Sequence, residues 1–200
     1  MTQENLTVNK SLKVSKKEIL DDFLLMNVSR NISYIGRKEV FMGRAKFGVF
    51  GDGKELPQIA MSKFFRNGDF RSGYYRDQTF MMSINQLTPD QFFAQLYAHT
   101  DIKKDPHSGG RQMNCHFGTR LLNENGDWKT QTDMMNSVSD ISCVSGQMPR
   151  IVGLAYASKL YRNNKNLSNM ENFSINGNEV VFGTIGDAST SEGHFWEAIN

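Results

Sequence analysis

The chain has 200 residues, of which 38% are hydrophobic and 22% are charged, and its mean hydropathy is -0.50. These values are typical of a globular protein with one domain of ordinary size, or with most of a larger one. Lysine and arginine number 23 and aspartate and glutamate 21, so the charge gives no reason to expect nucleic acid or an anionic membrane as a partner.

The two cysteines, Cys115 and Cys143, lack the spacing of a disulfide framework or a zinc site. A reduced setting therefore fits the sequence best. No stretch approaches the length of a transmembrane helix, and residues 1–10 lack the apolar core of a signal peptide. The sequence predicts a cytoplasmic protein.

Residues 1–14 are polar and predict a flexible tail, followed by one domain over residues 15–200. Apolar residues at helical spacing predict a first helix from about Ser15 to Gly43 and a second over residues 56–65. The clearest helix start is Thr88-Pro89-Asp90-Gln91, where Gln91 can close a capping box. The apolar residues of the first helix are Ile19, Phe23, Leu24 and Met26, and the predicted buried face after Thr88 is Phe92, Phe93, Leu96 and Tyr97.

Residues 101–146 are polar, contain several glycines and show little periodicity, which is typical of a functional or disordered segment. Because few apolar residues anchor it, we expect this segment to be disordered without a bound cofactor. A helix is predicted over residues 148–162, and a buried strand over residues 179–185 leads through a loop to a helix near His194. This order predicts an α/β fold with a mainly parallel sheet flanked by helices.

The strongest local signal is the loop of residues 186–193 between that strand and that helix. Small residues at the end of a buried strand let backbone N–H groups approach an anion, and the next helix adds the positive end of its dipole. Asp187 could offer a carboxylate oxygen to Mg²⁺ that bridges a diphosphate. An ordinary turn, with Ser191 as the helix cap, explains the same residues equally well.

Three more segments hold candidate residues. Residues 73–77 place Arg76 beside tyrosines, as in phosphate sites, although a surface ion pair of Arg76 with Asp77 is the more ordinary interpretation. Residues 108–118 present His116, which could move a proton or bind a carboxylate, or could simply be exposed. Residues 142–149 precede a helix, and an ordinary capped helix entry would explain them.

Together, GYYRDQ (73–78), SGGRQMNCHFG (108–118), GQMPRIVGLAYASKL (146–160) and IGDASTSEGHFWEAIN (185–200) resemble the alpha subunit of the thiamine-diphosphate-dependent 2-oxo acid dehydrogenases. The resemblance covers roughly residues 15–200 and keeps the family's motif order. It implies a thiamine-diphosphate-binding fold that is incomplete at its C-terminus, because the Asn-containing segment that supplies further metal ligands does not follow Asp187. The form with fused alpha and beta portions is also similar.

For the cofactor's diphosphate, the resemblance implies contacts from Tyr75 and Arg76. It implies Asp187 as the Mg²⁺ ligand, and backbone amides of Ala188 and Ser189 facing the phosphates. Ala188 stands where the family has glycine, which a slightly wider turn could accept.

For the remainder of the site, the resemblance implies that Ser142 and Val144 line the aminopyrimidine ring, with Val144 as the wedge that bends the cofactor. Cys143 stands where a proline is common in the family. Gln112 and His116 would lie near the substrate entrance and are the catalytic candidates.

The implied activity is oxidative decarboxylation of a 2-oxo acid, with the acyl group passed to lipoamide. The run Arg111-Gln112-Met113 favours a branched-chain substrate of the 2-oxoisovalerate type, with pyruvate as an alternative. The implied partners are a beta subunit or fused beta portion and a lipoyl acyltransferase, in a dimer or heterotetramer. The isolated chain is expected to be inactive, because the beta partner supplies the glutamate that activates the cofactor. A non-catalytic assembly module, a transketolase-like enzyme and a generic nucleotide-binding domain are the rival interpretations.

Overall fold

The computed structural model describes residues 14–200, so the predicted tail lies outside the described residues except for Val14. The helices are α1 (Lys16–Phe41), α2 (Glu55–Ser62), α3 (Gln78–Ser83), α4 (Pro89–Leu96), α5 (Gln147–Asn163) and α6 (Gly193–Ile199). The strands are β1 (Phe70–Ser72), β2 (Asn136–Ser137) and β3 (Val181–Gly183). Short 3-10 helices cover Gln131–Asp133, Lys165–Leu167 and Asp187–Ser191.

The strands form a parallel sheet in the order β2-β1-β3. Phe70 of β1 is in register with Asn136 on one side and Val181 on the other. The predicted parallel sheet is therefore confirmed. The strand predicted over residues 179–185 is confirmed as β3, but its predicted burial is wrong, because β3 is three residues long and lies partly exposed at the edge of the described sheet.

Helices cover both faces of the sheet. Phe182 of β3 packs edge-on against Phe65, which follows α2, with ring centroids 5.1 Å apart. Val181 lines a small cavity with Leu154 of α5. Because successive strand residues point to opposite faces, these contacts place α5 on one side of the sheet and Phe65, with Phe80 of α3 packed against it, on the other. The predicted α/β fold with flanking helices is confirmed.

The first predicted helix is confirmed as α1, whose N-cap residue Ser15 accepts a hydrogen bond from the Glu18 amide at 3.1 Å. Its buried face consists mainly of small and polar residues, and the Ser29 and Thr79 hydroxyls lie 2.7 Å apart where α1 meets α3. Ile19, Phe23 and Leu24 are instead 56%, 61% and 64% exposed. The apolar stripe that predicts α1 is therefore not the face on which α1 packs.

The capping box at Thr88 is confirmed, because Thr88 and Gln91 exchange side-chain and backbone hydrogen bonds. Phe92 is fully buried, but the prediction that Tyr97 is buried is wrong. The helix ends at Leu96, and the Tyr97 hydroxyl donates to the Glu39 carboxylate at 2.7 Å. A partly exposed position lets that hydroxyl reach a charged acceptor.

The expectation that few apolar residues anchor residues 101–146 is wrong. Cys115 and Phe117 are fully buried in the hydrophobic core with Phe80 and Phe92. The segment also contributes β2 to the sheet. Its loss of order without cofactor stays a prediction, which amide hydrogen exchange can test.

Two further helices match their predictions, whereas no pattern in the sequence analysis predicts α3. The second predicted helix, over residues 56–65, is α2 and ends three residues earlier, at Ser62, and the helix predicted over residues 148–162 is α5. Within residues 14–200, no helix combines the length and apolar character needed to cross a membrane.

We predict that Phe80→Ala destabilises the protein by about 3–5 kcal/mol, because it removes a fully buried ring and leaves a cavity. The matched control is Phe64→Ala, whose ring is 69% exposed and whose loss should change stability by less than about 0.5 kcal/mol. Urea unfolding of both variants gives the comparison. Equal destabilisation by the two substitutions would show that Phe80 is not a core residue.

Candidate cofactor site

Arg71 of β1 is buried beneath the candidate site with a side chain 1% exposed. Its Nη2 donates to Asp77 Oδ2 at 2.9 Å and to Asp140 Oδ2 at 3.0 Å, and its Nη1 donates to the Ser137 hydroxyl at 2.8 Å. Both carboxylates are buried. One guanidinium therefore forms ion pairs with two carboxylates that are far apart from each other along the chain.

The same carboxylates hold the backbone of the loops that carry the predicted site residues. Asp77 Oδ2 accepts the Tyr74 amide at 3.0 Å and the Thr184 hydroxyl, while Asp140 Oδ2 accepts the Phe117 amide at 3.0 Å. Tyr74 precedes Tyr75, Phe117 follows His116, and Thr184 lies just before the 186–193 loop. The ion network thus ties together three of the predicted segments.

Burial raises the pKa of Asp140, and the Arg71 guanidinium offsets only part of that effect. Asp140 Oδ1 is buried without a hydrogen-bond partner among the described residues. A proton on this carboxyl lowers the cost of holding two carboxylates against one guanidinium.

Tyr74, Tyr75 and Arg76 form an aromatic and cationic cluster. The two tyrosine rings lie 4.2 Å apart, and Arg76 Cζ lies 5.8 Å from the Tyr74 centroid and 5.9 Å from that of Tyr75. Burial, and then the hydrogen bond to Tyr75, raises the pKa of Tyr74 to about 12. Tyr74 therefore stays protonated near neutral pH.

The ordinary interpretation of Arg76, a surface ion pair with Asp77, is wrong because Asp77 pairs with Arg71. Arg76 Nε is instead buried without a hydrogen-bond partner within residues 14–200. A buried unpaired donor costs about 1–3 kcal/mol, and more where the group is charged. A ligand that offers a hydrogen-bond acceptor to Arg76 Nε would remove this cost.

The loop of residues 186–193 meets this cluster. A Cβ on Gly186 would lie 3.1 Å from the Tyr74 hydroxyl, so a side chain here would force that ring to shift. The Asp187 carboxylate is close enough to contribute to the raised pKa of Tyr74. Ser191 does not cap α6, whose N-cap residue is Glu192 without a side-chain hydrogen bond.

Ser189 offers a different group from the one predicted. Its backbone amide donates to the Gly186 carbonyl at 3.1 Å and is engaged in the 3-10 turn. Its hydroxyl is buried without a partner in the described part of the chain. Ala188 lies exposed beside it. Arg76 and Ser189 thus place two unpaired buried groups on the two loops that meet at Tyr74.

His116 is 3% exposed, so the interpretation of a freely exposed loop histidine is wrong. Its ring is stacked on Tyr75, with centroids 5.7 Å apart and planes 9° apart. Nδ1 lies 3.1 Å from the Asn114 carbonyl, and Nε2 lies 2.8 Å from the Ser142 hydroxyl. Because a carbonyl only accepts, Nδ1 donates to Asn114, and Nε2 forms a hydrogen bond with the Ser142 hydroxyl.

The interpretation of residues 142–149 as an ordinary capped helix entry is wrong, because the N-cap of α5 is Gly146 and makes no side-chain hydrogen bond. Ser145 has a φ of 65°, which bends the chain between Ser142 and α5. Val144 is 40% exposed in this bend. Gln112 lines a separate polar pocket that includes neither Tyr75 nor His116.

The sequence alone gives little sign of the residues beneath the site. Arg71, Asp140 and Thr184 are each separated from their partners along the chain, by up to 69 residues for Arg71 and Asp140. The residues around Arg71, Asp69-Phe70-Arg71-Ser72, show no apolar run that would single out Arg71 as a buried ion.

The donor set at this site fits a diphosphate better than it fits a metal ion. Arg76 Nε and the Ser189 hydroxyl are donors without acceptors, as an anion requires. Asp187 offers one carboxylate, and no group of three or more His, Cys, Asp or Glu residues suited to a metal occurs within residues 14–200. An octahedral Mg²⁺ needs more ligands than Asp187 alone supplies.

The structure is that of an α/β protein in which loops with unpaired buried donors meet beside a parallel sheet. A family described as "Dehydrogenase E1 component" matches residues 25–200, and the chain belongs to this family.

Similar proteins include the 2-oxoisovalerate dehydrogenase subunit alpha of Bacillus subtilis, 26% identical over 193 residues, which are 96% of this chain and 49% of that protein. The human mitochondrial 2-oxoisovalerate dehydrogenase subunit alpha is 26% identical over 170 residues, 84% of this chain and 30% of that protein. The Caenorhabditis elegans counterpart is 26% identical over 88% of this chain and 33% of its own length. The chain spans about half the length of the first relative and about a third of the other two.

We predict that Asp140→Asn changes how stability depends on pH. The folded-state pKa of Asp140 is raised above 3.8, so its contribution to stability is present below that value and is lost as the pH rises through the raised pKa. Asparagine cannot ionise. The free energy of unfolding of the unsubstituted protein, relative to the variant, should therefore fall as the pH rises through this window and then level off.

Urea unfolding at several acidic and neutral pH values measures this difference. The exposed residue Asp133 provides the control substitution Asp133→Asn, which should not reproduce the trend. A relative stability that rises with pH would mean that Asp140 is ionised more easily in the folded protein than in the unfolded chain.

Proposed function

We propose that this chain is the alpha part of a thiamine-diphosphate-dependent 2-oxo acid dehydrogenase acting on a branched-chain substrate of the 2-oxoisovalerate type. The observation that carries the proposal is the pair of unpartnered buried groups, Arg76 Nε and Ser189 Oγ, on loops that meet at Tyr74. The names of the relatives support the substrate class. Pyruvate is the alternative substrate.

In this proposal, Arg76 and Ser189 bind the diphosphate of the cofactor. A charge-assisted hydrogen bond from a guanidinium to a phosphate oxygen is about twice as strong as a neutral one. Tyr75 packs its ring beside Arg76 and limits where the guanidinium can move. The backbone amide of Ala188 lies next to Ser189 and is a further donor for the phosphates.

Asp187 would contribute one ligand to the Mg²⁺ ion that accompanies the diphosphate. Its carboxylate is exposed and close to Tyr74. Since the described residues hold no complete metal site, we assign Asp187 a share in binding and derive no chemical step from the ion.

Thiamine diphosphate, when bound, supplies a nucleophilic carbon and the electron sink that decarboxylation of a 2-oxo acid requires. The chain's own contribution is to orient the bound groups and to hold or transfer protons. The Ser142 hydroxyl is hydrogen-bonded to His116 Nε2, and the stacked Tyr75 ring fixes the plane of the imidazole. His116 can thus accept or return a proton at Nε2 beside the proposed aminopyrimidine position of Ser142. Val144 is the proposed apolar wedge that bends the cofactor. Gln112 is proposed to lie near the substrate entrance.

The partners we propose are a beta subunit or fused beta portion and a lipoyl acyltransferase, in a cytoplasmic dimer or heterotetramer. Large apolar side chains on α1 and α5, among them Phe23, Leu24 and Val152, are exposed and available to cover such contacts. A non-catalytic assembly module would use the same surfaces. Cofactor binding separates the two interpretations.

We predict that Arg76→Gln weakens binding of thiamine diphosphate about tenfold or more, because it removes a charge-assisted hydrogen bond. Isothermal titration with thiamine diphosphate and Mg²⁺, on the chain assembled with its beta partner, measures the affinity. Arg162→Gln at the end of α5 removes the same charge away from the site and should leave the affinity unchanged. Unaltered binding by Arg76→Gln would refute the diphosphate site, and no binding by the unsubstituted assembly would favour the assembly module.

We predict further that the assembled enzyme decarboxylates 2-oxoisovalerate with a higher kcat/KM than pyruvate. Release of carbon dioxide with an artificial electron acceptor measures both. A preference for pyruvate would overturn the branched-chain assignment while leaving the cofactor site in place.

A further inference from the structure

A second polar pocket lies on the loop that leads to His116. It has a volume of about 400 Å³ and includes neither Tyr75, Arg76, His116 nor Ser142 among its lining residues. The residues that line it are His107, Ser108, Arg111, Gln112, Gly118, Thr119, Arg120 and Ser139.

The charge of this lining is positive. Arg111 and Arg120 both face the pocket, and no lining residue is an aspartate or a glutamate. Neither guanidinium forms an ion pair with any residue from 14 to 200, whereas Arg71 and other arginines of the chain do. Two unpaired guanidiniums around one small pocket favour an anionic ligand.

Several donors in this pocket remain free to bind a ligand. Arg120 Nε donates to the Pro106 carbonyl at 3.1 Å, which positions the side chain and leaves its terminal nitrogens available. The Arg111 guanidinium and the Gln112 amide make no hydrogen bond with the described residues. Arginine presents its donors in a planar fork that matches a carboxylate or a phosphate.

Hydrogen bonds within the protein shape the pocket wall. Asp105 is fully buried and accepts hydrogen bonds from the His107, Ser108 and Gly110 amides and from the Ser108 hydroxyl. Gly110 has a φ of 76°, which side-chain-bearing residues rarely adopt.

The opposite wall depends on close contact between two chain segments. A Cβ on Gly118 would lie 2.9 Å from Ser139 Cα, so glycine is needed for this approach. Thr119 then binds across the same gap, its amide donating to the Ser137 carbonyl at 2.9 Å. The two walls and the two arginines together form a concave, ordered and positively charged site.

We propose that this pocket binds a small doubly charged oxyanion, either a phosphate group or a dicarboxylate, at a site separate from the proposed cofactor site. Two guanidiniums can neutralise two negative charges, and the Gln112 amide adds a neutral donor. The proposal does not depend on the proposed function, because it uses none of the residues assigned to the diphosphate. It places Gln112 in this anion site instead of at the substrate entrance of the proposed function.

The test is titration of the full chain with inorganic phosphate and, separately, with succinate, at constant ionic strength. Isothermal titration or backbone amide NMR measures the affinity. We expect saturable binding of one or both anions, and we expect Arg111→Gln and Arg120→Gln each to weaken it about tenfold. Tighter binding of phosphate identifies a phosphoryl ligand, and tighter binding of succinate identifies a dicarboxylate.

Two further variants locate the site. Lys159→Gln on α5 removes an exposed positive charge elsewhere and should not alter the affinity. Arg76→Gln should also leave it unchanged, because Arg76 belongs to the diphosphate cluster. Absence of saturable binding would overturn the proposal, as would anion binding that Arg76→Gln abolishes and the Arg111 and Arg120 variants retain. Circular dichroism melting of each variant confirms that a loss of binding is not a loss of folding.

Discussion

The buried guanidinium of Arg71 is the interaction on which the arrangement of the candidate site depends. It joins Asp77 and Asp140, and both carboxylates are almost completely excluded from solvent. Removing one partner of such a network costs about 3–5 kcal/mol, because an uncompensated charge stays buried. A buried network of this kind adds little net stability. Its main effect is that only one arrangement of the loops pairs all of its charged groups. That geometry sets where three loops must lie.

The stack of His116 on Tyr75 follows from the same network. Each ring belongs to a residue whose chain neighbour donates its backbone amide to one of the two carboxylates, Tyr74 to Asp77 and Phe117 to Asp140. The two amides are fixed relative to each other because Arg71 bridges their acceptors. Several hydrogen bonds converge on each of the two carboxyl groups, so this frame restrains both loops. A site on loops thereby gains the rigidity normally found on helices and strands.

The sequence predicts the elements that depend on residues close together along the chain. The capping box at Thr88 and the helical spacing in α1 and α5 lie within a few residues, and the structure contains them. The sequence does not predict β1 or β2, because these strands are three and two residues long and too short to show an alternating pattern. The order of the motifs correctly indicated the family, whereas the burial of His116 depends on contacts that no local pattern encodes.

Two arginines five positions apart show how structural and ligand-binding roles can be separated in this chain. Arg71 has every side-chain nitrogen engaged with buried acceptors of the protein itself. Arg76 has a buried nitrogen without an acceptor among the described residues, although Asp77 is its immediate neighbour. Because Arg71 already occupies Asp77, the Arg76 guanidinium is left to pair with a group from outside these residues. The internal ion network therefore does more than shape the loops, since it also leaves Arg76 without an ion-pair partner among the described residues.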